Sequence, residues 1–152
     1  MADEVVVDGF LRNDQEMVTG TIGEFKGKWM VHIRVFVPSA AEPGEWIRTE
    51  RGIAVPIDQF PQVRDGVKKL ASVVGSNVVV ARIPRREREE VRIGVQQFKG
   101  NLYVYLRLYF QPGGSTEWIP TKKGVNLHTG LLEDLSGLVG RIEAEIRKRN
   151  ME

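Results

Sequence analysis

The stretch NLYVYLRLYF, residues 101–110, combines side chains that could bind nucleic-acid bases. In a β-strand, successive side chains point to opposite faces of the sheet. One face of this stretch would carry only leucine, valine and phenylalanine, as a core does, whereas the other would carry Tyr103, Tyr105, Arg107 and Tyr109. Flat rings on an exposed sheet face can stack on unpaired bases, and an arginine can stack or bind a phosphate.

Aromatic side chains in a strand also have simpler explanations. Tyrosine favours strands, so outward tyrosines can pair across strands or be covered by a neighbouring element. Trp46 and Trp118 are more readily interpreted as structural anchors of a strand than as stacking residues. The mixed-charge run Arg85–Glu90 is interpreted as an exposed turn.

The chain contains an internal repeat. Residues Val5–Gly27 align with Val78–Gly100 without a gap, and both segments end in Phe-Lys-Gly. Further along, EWIRTERG (residues 45–52) aligns with EWIPTKKG (residues 117–124) after one residue is lost from a loop rich in proline and glycine. The sequence is therefore a tandem duplication, and the two copies are predicted to share one fold.

Each copy is predicted to form four strands and a closing helix. Asp58 and Thr129 are predicted to be the helix N-caps, and Gly75 is predicted to end the first helix. The predicted strands are Val5–Leu11, Val18–Phe25, Trp29–Val37 and Glu45–Val55 in the first copy, and Val78–Ile83, Val91–Phe98, Leu102–Phe110 and Glu117–Leu127 in the second.

The two predicted repeats, residues 1–75 and 76–152, are expected to form one unit with pseudo-twofold symmetry. Only the segment GSN separates the first helix from the next strand, which is too short for a free tether. A unit of about 70 residues also stabilises itself poorly alone. The apolar face of the second helix is wider than one sheet can cover, so the helices are expected to pack on each other or on another chain.

Composition excludes several classes of function. There is no cysteine, and only two histidines, His32 and His128, are present without a ligand pattern, so neither a metal site nor a cofactor is predicted. Neither a phosphate-binding loop nor a catalytic constellation is visible, so the protein is not predicted to be an enzyme. The acidic start MADE and the lack of a long apolar run predict neither export nor a membrane span.

The repeated motifs resemble a known family. EFKGKWMVHIRVF and GEWIRTERGIAV, followed by an amphipathic helix, and QFKGNLYVYLRLYF with TEWIPTKKGVNL, resemble the C-terminal domain of the transcriptional coactivator positive cofactor four. The resemblance implies an α+β, Whirly-like fold, in which each repeat is a curved antiparallel four-stranded sheet with one C-terminal helix. It also implies dimerisation through the helices and single-stranded DNA along the sheets. Because family members usually carry one copy, two copies imply a pseudo-dimer within one chain.

The resemblance and the residues together predict a binder of single-stranded DNA, with RNA as a second candidate ligand. The second repeat is expected to contribute more, because its three tyrosines and two lysines correspond to weaker residues in the first. The candidate nucleic-acid-binding residues are Lys26, Lys28, His32, Arg34, Phe36 and Arg51 in the first repeat, and Lys99, Tyr103, Tyr105, Arg107, Tyr109, Lys122 and Lys123 in the second.

The alternative is an adaptor that docks a partner protein on its aromatic sheet. A net charge of +2 does not decide between the two. Transcription or replication machinery are the candidate protein partners, membrane association is not predicted, and a cytoplasmic or nucleoid-associated location is expected. Further homodimerisation of the monomeric pseudo-dimer stays open, as does the biological pathway.

Overall fold

The chain folds as two successive ββββα units in a computed structural model that describes residues 4–151. The α+β class and the tandem arrangement predicted from the sequence are confirmed. The first three residues of the acidic start and the final residue of the second predicted repeat lie outside the described range. Strands β1 to β4 are Glu4–Asn13, Glu16–Phe25, Lys28–Pro38 and Trp46–Pro56, and helix α1 is Phe60–Leu70; strands β5 to β8 are Val78–Arg86, Glu89–Phe98, Asn101–Phe110 and Ile119–His128, and helix α2 is Leu132–Lys148.

Each unit contains one antiparallel sheet whose strands follow the chain order, β1-β2-β3-β4 and β5-β6-β7-β8. Short hairpins join the first three strands of each sheet, so neighbouring strands pair locally. One side of each sheet carries the valine and isoleucine side chains of the alternating pattern, and these join the helices in one continuous core. The opposite side of each sheet faces away from this core.

Each helix packs mainly against the sheet of the other repeat. Helix α2 contacts β1 and β2, where Gly20 faces Leu138 and Ile142: a Cβ atom on Gly20 would lie 2.7 Å from Ile142 Cδ1. Helix α1 contacts β5 and β6, and Gly66 approaches Ile93 there. The core of each repeat is therefore completed by the helix of the other repeat.

The helices also contact each other, as the width of the apolar face of α2 predicted. Arg64 of α1 donates a hydrogen bond to Glu143 of α2 at 2.5 Å. A second ion pair, between Arg141 of α2 and Asp8 of β1, fastens α2 to the first sheet. These contacts explain how a single chain forms the pseudo-dimer.

The predicted helix boundaries were wrong in detail. Helix α1 begins at Phe60 and α2 at Leu132, and neither N-cap residue makes a side-chain capping bond. Asp58 and Thr129 lie instead in short 3-10 turns, residues 57–59 and 129–131, which precede the helices. Helix α1 ends at Leu70 because the following residues form tighter turns, so Gly75 lies beyond it. No helix among residues 4–151 is long and apolar enough to span a membrane.

Candidate nucleic-acid interface

The candidate residues of the third strand of each repeat lie on the sheet face opposite the helices. We call these surfaces the first and second outer faces. In β3 the core side is formed by Val31, Ile33 and Val35, and in β7 by Val104 and Leu106. The alternate positions form the outer faces: Met30, His32, Arg34 and Phe36 in the first, and Tyr103, Tyr105, Arg107 and Tyr109 in the second.

An exposed phenylalanine and a lysine stand at one end of each outer face. Phe25 and Phe98 are 61% and 57% exposed, and the following lysines hold their ammonium groups 5.3 Å from the ring centres. The hairpin turns are Lys26-Gly27 and Lys99-Gly100. Both residues of each turn have positive φ angles, as in a type I′ hairpin. We call these segments, residues 25–27 and 98–100, the first and second tips.

Sequence reasoning placed the two lysines in the site but missed both phenylalanines. The signal was present, because Phe-Lys-Gly occurs at equivalent positions of both copies. A two-residue turn pairs Phe25 with Lys28, which sets the phenylalanine on the outer face at the end of its strand. Phe25 is the last residue of β2, and its ring is exposed.

The first outer face borders a groove with a volume of about 710 Å³. His32 and Arg34 of β3 and Arg48 of β4 line it from the first repeat. The second repeat contributes Arg85 from its first hairpin and Lys123 from β8. Lys123, which was predicted to serve the second outer face, therefore belongs to this groove. The groove also contains carboxylates, among them Glu4, which pairs with Arg48 at 3.2 Å.

His32 is held neutral by its surroundings. Burial lowers the pKa of His32 to about 4, and the neighbouring charges of Arg34 and Arg48 lower it further in the same direction. The neutral ring can accept a hydrogen bond, and Arg34 Nη2 lies 2.6 Å from His32 Nδ1. His32 therefore orients Arg34 in the groove without adding a positive charge of its own.

Tyr105 is not the open stacking surface that the strand pattern predicted. It is only 4% exposed, because Gly94 lies directly opposite it in β6 and has no side chain to lift the ring from the sheet. A Cβ atom on Gly94 would lie 2.7 Å from the Tyr105 hydroxyl oxygen. Arg107 is also occupied, since it donates to the Thr121 carbonyl at 2.7 Å and to Asn126 Oδ1 at 2.9 Å.

The other two tyrosines of the second outer face are half-buried and touch neighbouring side chains. The ring of Tyr103 lies 4.7 Å from that of His128, at an interplanar angle of 40°. The guanidinium of Arg92 lies over the ring of Tyr109, 4.3 Å from its centre. A cavity of about 570 Å³ remains beside Tyr103 and His128. The second outer face thus offers less open aromatic area than the sequence suggested.

Two equivalent arginines cross from one repeat to the other, and sequence reasoning missed both. Arg12 Nη1 donates to the Asn126 carbonyl at 2.7 Å, and Arg85 Nε donates to the Ala54 carbonyl at 3.0 Å. Each belongs to the first hairpin of its repeat, and the run Arg85–Glu90 was predicted to be an exposed turn. Each hairpin is thereby held beside the fourth strand of the other repeat. Arg85 lines the groove of the first outer face, and Arg12 lines the cavity beside Tyr103 and His128.

The remaining candidates are scattered. Lys28 and Lys122 are exposed, and Phe36 is half-buried in the first outer face. Arg51 forms an ion pair with Glu16 at 2.5 Å, which neutralises much of its charge. Trp118 is half-buried against arginines of the second outer face, consistent with a structural role. Within residues 4–151 there is no cluster of side chains suited to a metal ion.

The burial of Tyr105 has a testable consequence for alkaline titration. Burial raises the pKa of its hydroxyl to about 12 from 10.0, with a further contribution from neighbouring Tyr109. Because the folded state keeps this proton longer than the unfolded state, the contribution to stability is complete below pH 10 and is lost as the pH rises towards about 12. Tyrosinate absorbance should show a late ionisation step that Tyr105→Phe removes. A folded protein with no step near pH 12 would contradict this assignment.

Comparison with known proteins agrees with the repeat and with its fold. The family model described as Transcriptional Coactivator p15 (PC4) matches twice, over residues 13–66 and 86–137. Each match runs from the first hairpin of a repeat into its helix, and together they cover more than half of the chain. No curated protein sequence matches.

Solved structures similar to this chain correspond to about half of it. A PC4 homologue from Burkholderia pseudomallei shows 22% identity over 47% of this chain and 92% of that one in its orthorhombic crystal form, with a TM-score of 0.38. A bacteriophage T5 homologue of the eukaryotic coactivator, implicated in recombination-dependent DNA replication, shows 28% identity over 49% of this chain and 80% of that one, also with a TM-score of 0.38. On the double family match, this chain belongs to the transcriptional coactivator p15 (PC4) family.

Proposed function

We propose that this protein binds single-stranded DNA, with little sequence preference, along its outer sheet faces. The observation that carries the proposal is the pair of exposed tips, each of which joins an uncovered phenylalanine ring to a lysine at the end of an outer face. Membership of the PC4 family supports the same ligand. RNA is a second ligand within this proposal.

Aromatic rings suit the bases of a single strand, and lysine and arginine suit its phosphates. An exposed ring such as Phe25 can stack on any base, which is why such binding tolerates sequence changes. Lys26 and Lys99 stand where a phosphate could reach them, and the groove beside the first outer face adds Arg34, Arg48 and Lys123. Tyr103, Tyr109, Lys28 and Lys122 extend the proposed surface. Four further candidates would hold this surface in place without contacting the strand themselves: Tyr105, Arg107, His32 and Arg51.

Strandedness provides the direct test. Stacking on a protein ring requires a base that is free of its partner, whereas a duplex keeps its base faces covered. In fluorescence anisotropy at fixed salt, an oligo(dT) strand should bind at least about tenfold more tightly than a blunt duplex of equal length. An oligo(U) strand measured in the same way reports on RNA. Equal affinity for single strand and duplex would refute the proposal.

The adaptor alternative is favoured by one observation, the exposed apolar side chains that recur in both repeats. Val6 and Val79 are 60% and 41% exposed, and Ile47 and Ile119 are 50% and 40% exposed. Salt distinguishes the two functions, because phosphate contacts release counterions and an apolar protein interface does not. A binding partner whose affinity is insensitive to salt would favour the adaptor.

The proposal includes the setting of the activity. We infer a monomer whose repeats, residues 1–75 and 76–152, act as the two halves of a pseudo-dimer. It would hold melted strands in the cytoplasm or at the nucleoid, in support of transcription, replication or repair, beside the machinery of those processes. The activity needs neither catalysis nor a cofactor.

A further inference from the structure

At the ends away from their tips, the two outer faces differ in a way that their common fold does not require. In β6 of the second repeat, the outer side carries Glu90 and Arg92. Glu90 is only 6% exposed, and it accepts hydrogen bonds at 2.6 Å from the Nε atoms of both Arg82 and Arg92. A buried carboxylate with two guanidinium partners is a strongly held arrangement, because separating either cation leaves a charge without compensation.

Aromatic rings complete this cluster. The guanidinium of Arg92 lies 4.3 Å from the ring centre of Tyr109 and 5.7 Å from that of Trp118. Arg82 also lies 5.7 Å from the Trp118 ring. We call these five residues, Arg82, Glu90, Arg92, Tyr109 and Trp118, the guanidinium cluster. Ring faces that could stack on a base are thus already in contact with arginine.

Among its described residues, 4–75, the first repeat has no such cluster. The alignment of the two copies places Gly9, Met17 and Thr19 at the positions of Arg82, Glu90 and Arg92. None of these three can form an ion pair. The groove of the first outer face instead carries its arginines at the rim, where Arg48 has 61% of its side chain exposed. Lys123 of the second repeat also faces this groove.

We propose that the guanidinium cluster blocks the second outer face at the end away from the second tip, so that the chain holds one single strand and holds it on the first outer face. The inference rests on the proposed binding of single strands and specifies which surface performs it. A strand on the second face would have to displace Arg92 from two rings and leave Glu90 buried with one cation. A strand on the first face meets a groove in which Arg48 pairs with Glu4, and this exposed ion pair is held less tightly than the cluster around Glu90.

The two tips provide a matched pair of variants. Phe25 and Phe98 are equivalent and similarly exposed, so replacing either with alanine should leave the fold intact. With an oligo(dT) of about eight nucleotides, within the site sizes of single-strand-binding domains, Phe25→Ala should weaken binding at least about tenfold. Phe98→Ala should weaken it clearly less than Phe25→Ala does, because the strand is held on the first outer face. Equal losses from the two variants, or a larger loss from Phe98→Ala, would overturn the inference.

The number of strands bound per chain provides a second test of the same inference. Calorimetric titration of the wild-type chain with the short oligonucleotide should give one strand per chain. The double variant Glu90→Met with Arg92→Thr installs the residues of the first repeat and should raise this to two. Two equal sites in the wild type would overturn the inference but not the proposed function. A wild-type chain that binds no single strand would refute the proposed function itself, and the inference with it.

Discussion

Replacing Ile142 with alanine is expected to lower the free energy of unfolding by about 2–5 kcal/mol. Ile142 is fully buried and lies against Gly20, in the sheet of the opposite repeat. The substitution therefore leaves a cavity between α2 and the first sheet, where the surrounding backbone can relax only partly. Urea denaturation followed by circular dichroism measures the loss.

The same experiment tests whether the repeats unfold together. Because each helix completes the core of the other repeat, tryptophan fluorescence and circular dichroism should report one coincident transition in the wild type and in the variant. Lys148→Ala, at the exposed end of the same helix, serves as the control and should change stability little. Two separated transitions, or a loss confined to the second repeat, would show that the repeats are independent domains.

Neutralising the two tip lysines, Lys26→Gln together with Lys99→Gln, should flatten the salt dependence of single-strand binding. Each phosphate contact contributes about 0.7 to the slope of log affinity against log salt for a single strand. The slope should therefore fall by about 0.7, because the strand is expected to contact the first tip alone, and a fall of about 1.4 would indicate that both tips contact it. Glutamine keeps the length of the side chain, so the hairpins should be preserved.

A matched control removes the same charge elsewhere. Lys68 and Lys69 are exposed in the last turn of α1, away from the outer faces. Their double replacement with glutamine should leave the slope nearly unchanged, since only counterions displaced by bound phosphates enter it. An unchanged slope in the tip variant, or equal effects of the two double variants, would remove the tips from the binding surface.

Much of the fold could be predicted because the repeat doubles every local signal. The two-residue alternation in β7 assigned Val104 and Leu106 to the core face correctly. Alternation depends only on the backbone of one strand, so a single sequence contains it. The same is true of the tight turn between Phe25 and Lys28.

The parts that could not be predicted depend on neighbours distant in sequence. Tyr105 is buried because Gly94 lies opposite it, and that pairing follows from the register of two strands. The exchange of helices between sheets requires the packing of the whole core. The arginine bonds from Arg12 and Arg85 likewise connect residues of different repeats. Strand periodicity assigns a side chain to a face, but it does not reveal what covers that face.

The guanidinium cluster shows that the burial and pairing of charged residues also could not be predicted from the sequence. Glu90 is the last residue of the mixed-charge run Arg85–Glu90, which is typical of an exposed turn, and Arg92 follows after one valine. In the folded chain Glu90 is buried, and hydrogen bonds from Arg82 and Arg92 lower its pKa although burial alone would raise it. Only the sheet brings Tyr109 and Trp118 to these charges. Which of the two outer faces binds a single strand more tightly therefore depends on tertiary structure.

Amide chemical-shift mapping with oligo(dT) tests the central claim most directly, because it locates the strand on the folded chain. We expect the largest changes at the first tip and along the first outer face, with Lys26, Met30 and Arg34 among the affected residues, and little change in α1 or α2. Changes confined to the second outer face would contradict the assignment to the first. Changes confined to the helices, or absent from both outer faces, would contradict the account of single-strand binding as a whole.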